Sequence, residues 1–179
     1  MLPDLQPTLT GKTLSIRPLW ASDWTELFHA ASDPKIWEIH PQPDRYKEKV
    51  FREFFDAGLR SKSALVFVEE ASHTLVGSSR YQAFDPEKRE IEIAATFLVP
   101  RLWGGGVNRE IKNLMLGHAF TFADAVQFWI GEKNLRSRRA MEKIGGVGRA
   151  GLQDRPPMGQ HVVYEITKAG FAANPYWRG

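Results

Sequence analysis

The sequence predicts an α/β fold, with a mostly antiparallel N-terminal sheet and a strand–helix–strand crossover in the second half. Three observations predict it. Residues 64–99 hold three strand-like segments joined by short polar turns. Residues 111–122 repeat apolar side chains at helical spacing. Residues 126–167 read as a strand, a helix and a closing hairpin.

The elements follow in order. Leu14 and Ile16 alternate with polar residues until Pro18 breaks the first strand. Ser22 or Asp23 caps a helix to about Ala31, with Leu27 and Phe28 as its buried positions. Asp33-Pro34 ends that region, and Pro41–Asp44 is a turn. Residues 46–59 form a second amphipathic helix, with Val50, Phe51, Phe54 and Phe55 on one face. Residues 64–69 and 74–81 are strands joined by a hairpin at Ala71-Ser-His. Residues 90–99 complete the meander, and Pro100 stops it. Simple alternation puts Glu90, Glu92, Ala94 and Thr96 on one face, opposite Ile91, Ile93, Ala95 and Phe97.

In the next helix Ile111, Leu114, Met115, His118, Ala119 and Phe122 share a stripe. Residues 126–130 are a short strand. Asn134 caps a helix to Ile144, closed by Gly145-Gly146. Strands near 148–152 and 161–167 form a hairpin around the polar loop 154–159.

Composition narrows the function classes. The chain has 179 residues, 42% hydrophobic and 25% charged, which fits one globular domain over 1–179. A short lead, 1–9, and a tail, 170–179, flank it. Fifteen glycines and eleven prolines carry no period, which excludes collagen-like and low-complexity chains. No apolar run approaches the roughly 20 residues of a membrane span. The start lacks a basic n-region and an apolar h-region, so no secretory signal is expected. Cysteine is absent, which removes disulfides, thiolate metal sites and a cysteine nucleophile, and fits a cytoplasmic setting. The five histidines are isolated, so no metal is expected.

The net charge of +3 is too small to indicate nucleic acid. Its placement is more telling. Arg136, Arg138, Arg139, Lys143, Arg149 and Arg155 fall in one C-terminal stretch, which suggests an anionic ligand near one place.

The segment Pro100-Arg-Leu-Trp-Gly-Gly-Gly-Val-Asn-Arg-Glu110 follows a strand and opens a helix. Its three glycines let backbone N–H groups converge, and the helix N-terminus adds orphan donors and positive potential. That suits a pyrophosphate; a tight turn without ligand is the other reading. There is no Gly-Lys-Ser/Thr of a P-loop, and the G-x-G-x-x-G spacing fails.

On these residues the chain resembles the GCN5-related N-acetyltransferase (GNAT) superfamily. Arg101-Leu-Trp-Gly104-Gly-Gly106 matches its Gln/Arg-x-x-Gly-x-Gly/Ala signature. Four segments are similar to the ribosomal-protein-alanine acetyltransferase (RimJ/RimL-like) branch. They are Leu14-Ser-Ile-Arg-Pro-Leu, Glu90-Ile-Glu-Ile, Trp103 to Glu110, and Asn134-Leu-Arg-Ser137 with the residues to Gly146. The resemblance runs from about residue 10 to 168.

The resemblance implies a single GNAT domain, whose mixed sheet splays between its fourth and fifth strands. Acetyl-CoA would lie in the splay as co-substrate, with no metal. Its pantetheine would pair with Phe97, Leu98 and Val99 as an added strand. Arg101, Trp103, Gly104, Gly105, Gly106, Val107 and Asn108 would surround the pyrophosphate. For Asn108 a plain helix cap is equally open.

The resemblance also implies direct acyl transfer to an amine. Glu92 matches the position of the family's water-mediated base, with Glu90 as the spare. A surface carboxylate, or one paired with Arg80, is the bland alternative for Glu92. Asn134 and Ser137 match a branch motif that puts asparagine near the pantetheine and serine near the sulfur. As a cap and its first turn they need no ligand.

Other residues carry lighter expectations. His118 reads as a packed core histidine and His40 as a loop residue near an acceptor pocket. Arginines 136–139 face either the adenosine 3′-phosphate or solvent.

The chain departs from the branch at Ala94-Ala95, at Gly105, and at Gly131-Glu-Lys, which lacks the usual aspartate. The acceptor, a protein N-terminus or a small amine, would meet loops near 32–46, 80–90 and 153–160. No nucleic-acid or membrane partner is expected. The resemblance admits a homodimer, which no residue pattern demonstrates. The other function class is a non-catalytic acyl-CoA-binding module.

Overall fold

A computed structural model describes residues 3–178; positions 1, 2 and 179 of the expected lead and tail lie outside them. The strands are β1 (Leu9–Thr10), β2 (Leu14–Pro18), β3 (Ala64–Glu69), β4 (Leu75–Asp85), β5 (Glu90–Leu98), β6 (Ala125–Gly131), β7 (Val147–Gly148), β8 (Gln153–Asp154) and β9 (Gln160–Thr167). The helices are α1 (Trp24–Ala31), α2 (Glu48–Ser61), α3 (Val107–Ala119), α4 (Leu135–Lys143) and α5 (Lys168–Ala173).

The strands form one sheet in the order β1-β2-β3-β4-β5-β6-β9-β7, with β8 also paired to β9. Every pairing is antiparallel except β5 with β6. That single parallel pair needs a crossover, and α3 supplies it. Because the short β1 precedes the predicted strands, the expected splay falls between β5 and β6.

The sheet is covered on both faces, which explains its continuous apolar runs. On one face Leu27, Ala30 and Ala31 of α1 pack with Phe51 and Phe55 of α2. On the other, Ile111, Met115, Leu116 and Ala119 of α3 meet Ile91, Ile93 and Val126.

Several boundaries and positions differ from the sequence reading. The second helix runs over Glu48–Ser61 because Pro43–Tyr46 forms a separate 3₁₀ turn. α3 ends at Ala119, so Phe122 lies beyond it, and Leu116 rather than His118 is fully buried. The predicted strand 148–152 is two pieces, β7 and β8, separated at Arg149–Leu152.

The lead and tail are structured. Leu5 and Leu9 pack on the core, and Phe171 of α5 lies against Phe120 and Trp177 at ring separations of 5.3 Å. Burying those apolar rings offsets the entropy of ordering the terminus.

The largest correction lies within β5. Ser78 pairs with Phe97 and Arg80 with Ala94, so Ser79 faces two residues, Ala95 and Thr96. This is a β-bulge, with Ala95 at φ +54°. The Ser79 hydroxyl donates to the Ala94 carbonyl at 3.2 Å and lies 2.8 Å from the Thr96 hydroxyl. Beyond the bulge the alternation slips by one residue. Thr96 and Leu98 turn toward α3, while Phe97 joins the α1–α2 face. Simple alternation places Thr96 and Phe97 on the opposite faces.

Candidate active site

β5 and β6 stay paired for only three positions: Glu90 with Ala125, Ile91 with Val126 and Glu92 with Gln127. Beyond Glu92 they part. A cavity of about 720 Å³ opens there. Ile93 to Leu98 form one wall and Phe128 to Gly131 the other, with α3 and α4 behind. The bulge at Ala95 bends β5 at the point of parting.

The glycine segment meets the cavity at one end. Gly104 adopts φ +75°, a region open to glycine and strained for other residues. A Cβ at Gly104 or Gly106 would meet nothing within 4 Å, so both backbones face open space. Trp103, Gly104 and Asn108 line the cavity; Val99, Arg101, Gly105, Gly106 and Val107 do not. The expected cap role of Asn108 belongs to Gly106 instead, one residue ahead of the helix. Asn108 is left facing the cavity.

Some expected partners are already engaged. The Arg101 guanidinium makes two 2.7 Å bonds to Glu69, away from the cavity. These bonds, with one from Ser72, hold the half-buried Glu69 carboxyl down to about 2. The Leu98 carbonyl accepts the Trp103 indole N–H at 2.8 Å, and the Val99 N–H donates to Val76 at 2.9 Å. Phe97 and Leu98 line the cavity, so ligand pairing on β5 falls to the groups those bonds leave over.

On the opposite wall Asn134 caps α4, its side chain accepting the Ser137 N–H at 3.1 Å. Both residues also line the cavity. The cap and the ligand-facing position therefore coincide.

Glu92 is buried in the cavity wall. Arg155, not Arg80, is its partner, through two 2.7 Å bonds, and Gln82 donates a third at 2.9 Å. A carboxylate has about four acceptor positions, so one remains on Oε1. Glu90 does not line the cavity; it accepts from Gln127, and from Arg149 at 2.6 Å. Of the two glutamates only Glu92 faces the cavity.

The basic stretch read as one anion site is divided. Arg149 is ion-paired to Glu90 and Glu165, and Arg155 to Glu92. Arg138 donates to the Tyr164 hydroxyl at 3.2 Å and the Glu132 carbonyl at 3.1 Å. Arg136 stacks 4.3 Å over the exposed Trp103 ring at the cavity edge. It is the member placed beside the glycine segment.

Lys112 is among the lining residues that escaped sequence reading. Lys112 is buried, lines the cavity, and bonds the Thr96 hydroxyl at 3.3 Å, with its Nζ 4.9 Å from the Phe128 ring centre. Burial holds its ammonium down to about 8. Its helical position beside Ile111 gave the only signal: a lysine next to the apolar stripe. His118, expected to be a packed core histidine, is half-buried at the core's edge, 5.5 Å from Phe122 and bonded to the Asp4 carbonyl. The described residues hold no group of metal-binding side chains, and none of their helices is long and apolar enough to cross a membrane.

Comparison with known proteins agrees with the fold. The family described as Acetyltransferase (GNAT) domain matches residues 13–147. The chain belongs to that family. A GCN5-related N-acetyltransferase from Brucella melitensis superposes on the GNAT chain with a TM-score of 0.82 at 18% identity. The overlap covers 94% of this chain and 81% of that one. An acetyltransferase structure from T. thermophilus gives 0.75 at 26% identity, covering 96% and 93%. RimJ from Mycobacterium smegmatis, solved with CoA-disulfide, gives 0.75 at 18% identity, covering 99% and 95%. A component of eukaryotic translation initiation factor 3 from Neosartorya fischeri is 35% identical over 54 residues. The chain spans about 6% of that protein's length, so the match carries no assignment.

Proposed function

We propose that this GNAT chain transfers the acetyl group of acetyl-CoA directly to a primary amine, on a protein N-terminus or a small molecule. The observation that carries the reading is the cavity where the parallel strands part. It brings Glu92, Asn134, Ser137, the β5 edge and the glycine segment to one space. CoA bound to the M. smegmatis RimJ neighbour supports the CoA-type co-substrate and a RimJ-like placement. The cysteine-free composition supports a cytoplasmic setting.

In this reading Phe97 and Leu98 seat the pantetheine, and the α3 N-terminus with Gly104 and Asn108 receives the phosphates. The acceptor must be neutral to attack. An α-amino group titrates near ~8 and a lysine near ~10.4, so a proton must leave at neutral pH. The free acceptor position of Glu92 receives it through water. The amine nitrogen forms the new C–N bond as the thioester C–S bond breaks. The nitrogen sheds its second proton as the amide forms; the departing thiolate takes a hydrogen bond from the Ser137 hydroxyl, or its proton, which that second nitrogen proton then replaces.

One observation favours a second reading, an acyl-CoA-binding module without turnover. Three of the four acceptor positions of Glu92 are already filled. Release of CoA thiol by the purified chain decides between them, over a panel of peptides and small amines. Steady release supports transfer; none across the panel removes it and leaves the binding module.

A further inference from the structure

The end of the cavity away from the glycine segment is lined by side chains that the transfer reading leaves unassigned. Arg45 comes from the 3₁₀ turn before α2, and Arg80 from β4 opposite Ala94. Both guanidiniums lie on the Phe54 ring, at 4.7 and 5.2 Å from its centre. Neither makes an ion pair among the described residues. Arg80 finds only the Phe54 carbonyl, at 3.5 Å.

Arg45 is worse served. Its Nε is buried without a partner. Its Nη1 lies 3.2 Å from Nε2 of His40. The backbone N–H of Gln42 donates to Nδ1 of that ring at 3.0 Å. Burial and the nearby Arg45 hold His40 down to about 4, so the ring is neutral and carries one proton. That hydrogen-bond pattern assigns the proton to Nε2. Two donors therefore face each other, with no acceptor between them. Burial and the charge of Arg80 also hold Arg45 down to about 10.

Carboxylates do not balance this. Glu92 is committed to Arg155, and the remaining acidic residue of the lining, Glu53, is exposed and makes no ion pair. Arg45 and Arg80 are half-buried, and a partly desolvated cation without a counter-charge is costly until a partner arrives. An anionic oxygen entering here would accept from Arg45, from the His40 Nε2–H and from Arg80. Arginine pairs of this kind suit planar carboxylates and phosphates.

We infer that the amine acceptor of this chain carries its own anionic group, a carboxylate or a phosphate, which Arg45, Arg80 and His40 hold. The class is an amino acid or a phosphorylated amine rather than a polyamine. A polyamine would place cations against two unpaired guanidiniums. This deepens the acetyl-transfer reading and rests on it.

The test has two arms that fail separately. In the first, CoA thiol release is measured with matched acceptors: glycine against glycinamide, phosphoethanolamine against ethanolamine, and spermidine. The anionic member of at least one pair is expected to show kcat/KM at least tenfold higher, and which pair does so tells carboxylate from phosphate. The advantage should collapse in Arg45→Gln and Arg80→Gln. Spermidine or the neutral amines as the best substrates would overturn the inference.

The second arm needs no turnover. Calorimetry with CoA present compares N-acetylglycine with N-acetylglycinamide, and N-acetylphosphoethanolamine with N-acetylethanolamine. At least tenfold tighter binding of one anionic ligand is expected for the wild-type chain. Equal binding within both pairs overturns the inference even if transfer occurs. Tighter anion binding without thiol release supports the anion site while the transfer reading falls. Arg45→Gln or Arg80→Gln weakening CoA itself, rather than the acetylated anion, would assign the arginines to the cofactor and overturn the inference.

Discussion

The two ends of the cavity are built from different materials. The end beside the glycine segment is built mainly from backbone, glycine, amide and apolar side chains, Gly104, Asn108, Asn134 and Leu98, with one cation, Arg136, over Trp103 at its edge. The far end consists of charge: the Glu92–Arg155 pair and the unpaired Arg45 and Arg80. Backbone donors bind an anion without bringing a side-chain charge that must be compensated before the ligand arrives. Buried side-chain charges must be compensated at once or wait for a ligand. The difference teaches where mutation should be felt. Changes at the charged end should alter both stability and chemistry, and changes at the glycine end should mainly alter ligand binding.

The largest effect is expected at Glu92. Glu92→Ala strands Arg155 in a partly buried site and should cost about 3 kcal/mol of unfolding free energy, read by denaturant titration. Glu92→Gln should lower kcat by about 100-fold in the thiol-release assay. Arg155→Met sharpens the assignment. An equal kcat loss in both variants would mean that the pair holds the 153–160 loop, and that Glu92 is no base.

Lys112 breaks the contrast, being a buried cation that lines the cavity from α3, beside Thr96 and Phe128. Its folded pKa, about 8, lies below the unfolded value near ~10.4. The folded state therefore binds fewer protons between those values, and stability should rise with pH across about 8 to 10.4. The penalty is complete below pH 8. Lys112→Met should stabilise the fold by roughly 1–3 kcal/mol at pH 7, and the gain should vanish near pH 10.5. A destabilised Lys112→Met at pH 7 would show that the ammonium has a compensating partner.

At the glycine end the effects are smaller on folding. Gly104→Ala should cost about 1 kcal/mol because of its positive φ. It should also weaken acetyl-CoA binding by roughly tenfold in calorimetry, as its Cβ enters space open to the ligand. Arg101→Ala removes an exposed ion pair and should change stability by less than about 1 kcal/mol. A tenfold loss of CoA affinity in that variant would show that Arg101 leaves Glu69 for the pyrophosphate.

The same contrast explains what was legible in the sequence. The glycine end is contiguous: residues 97–108 are one strand end, one turn and one helix start, so local chemistry reveals it. Asn134 and Ser137 were legible as a cap, and the cap also faces the cavity. The charged end is assembled across the chain. Arg155 reaches Glu92 over 63 positions, and nothing local marks it as the partner. Arg45 and Arg80 likewise meet only through Phe54. The β5 bulge was invisible because it depends on Ser79 of the neighbouring strand. The tail is too short to show a period of its own, yet Phe171 and Trp177 have a core to dock on.

The most direct measurement is an electron-density map of the chain with CoA and an acetylated acceptor bound. The account predicts the sulfur within about 4 Å of the Ser137 hydroxyl, near van der Waals reach. It also predicts pantetheine along β5 at Phe97 and Leu98, phosphates at Gly104 and Asn108, and β5 and β6 parted beyond Glu92. CoA phosphates bound away from residues 103–108, or a sulfur outside the gap between β5 and β6, would contradict it.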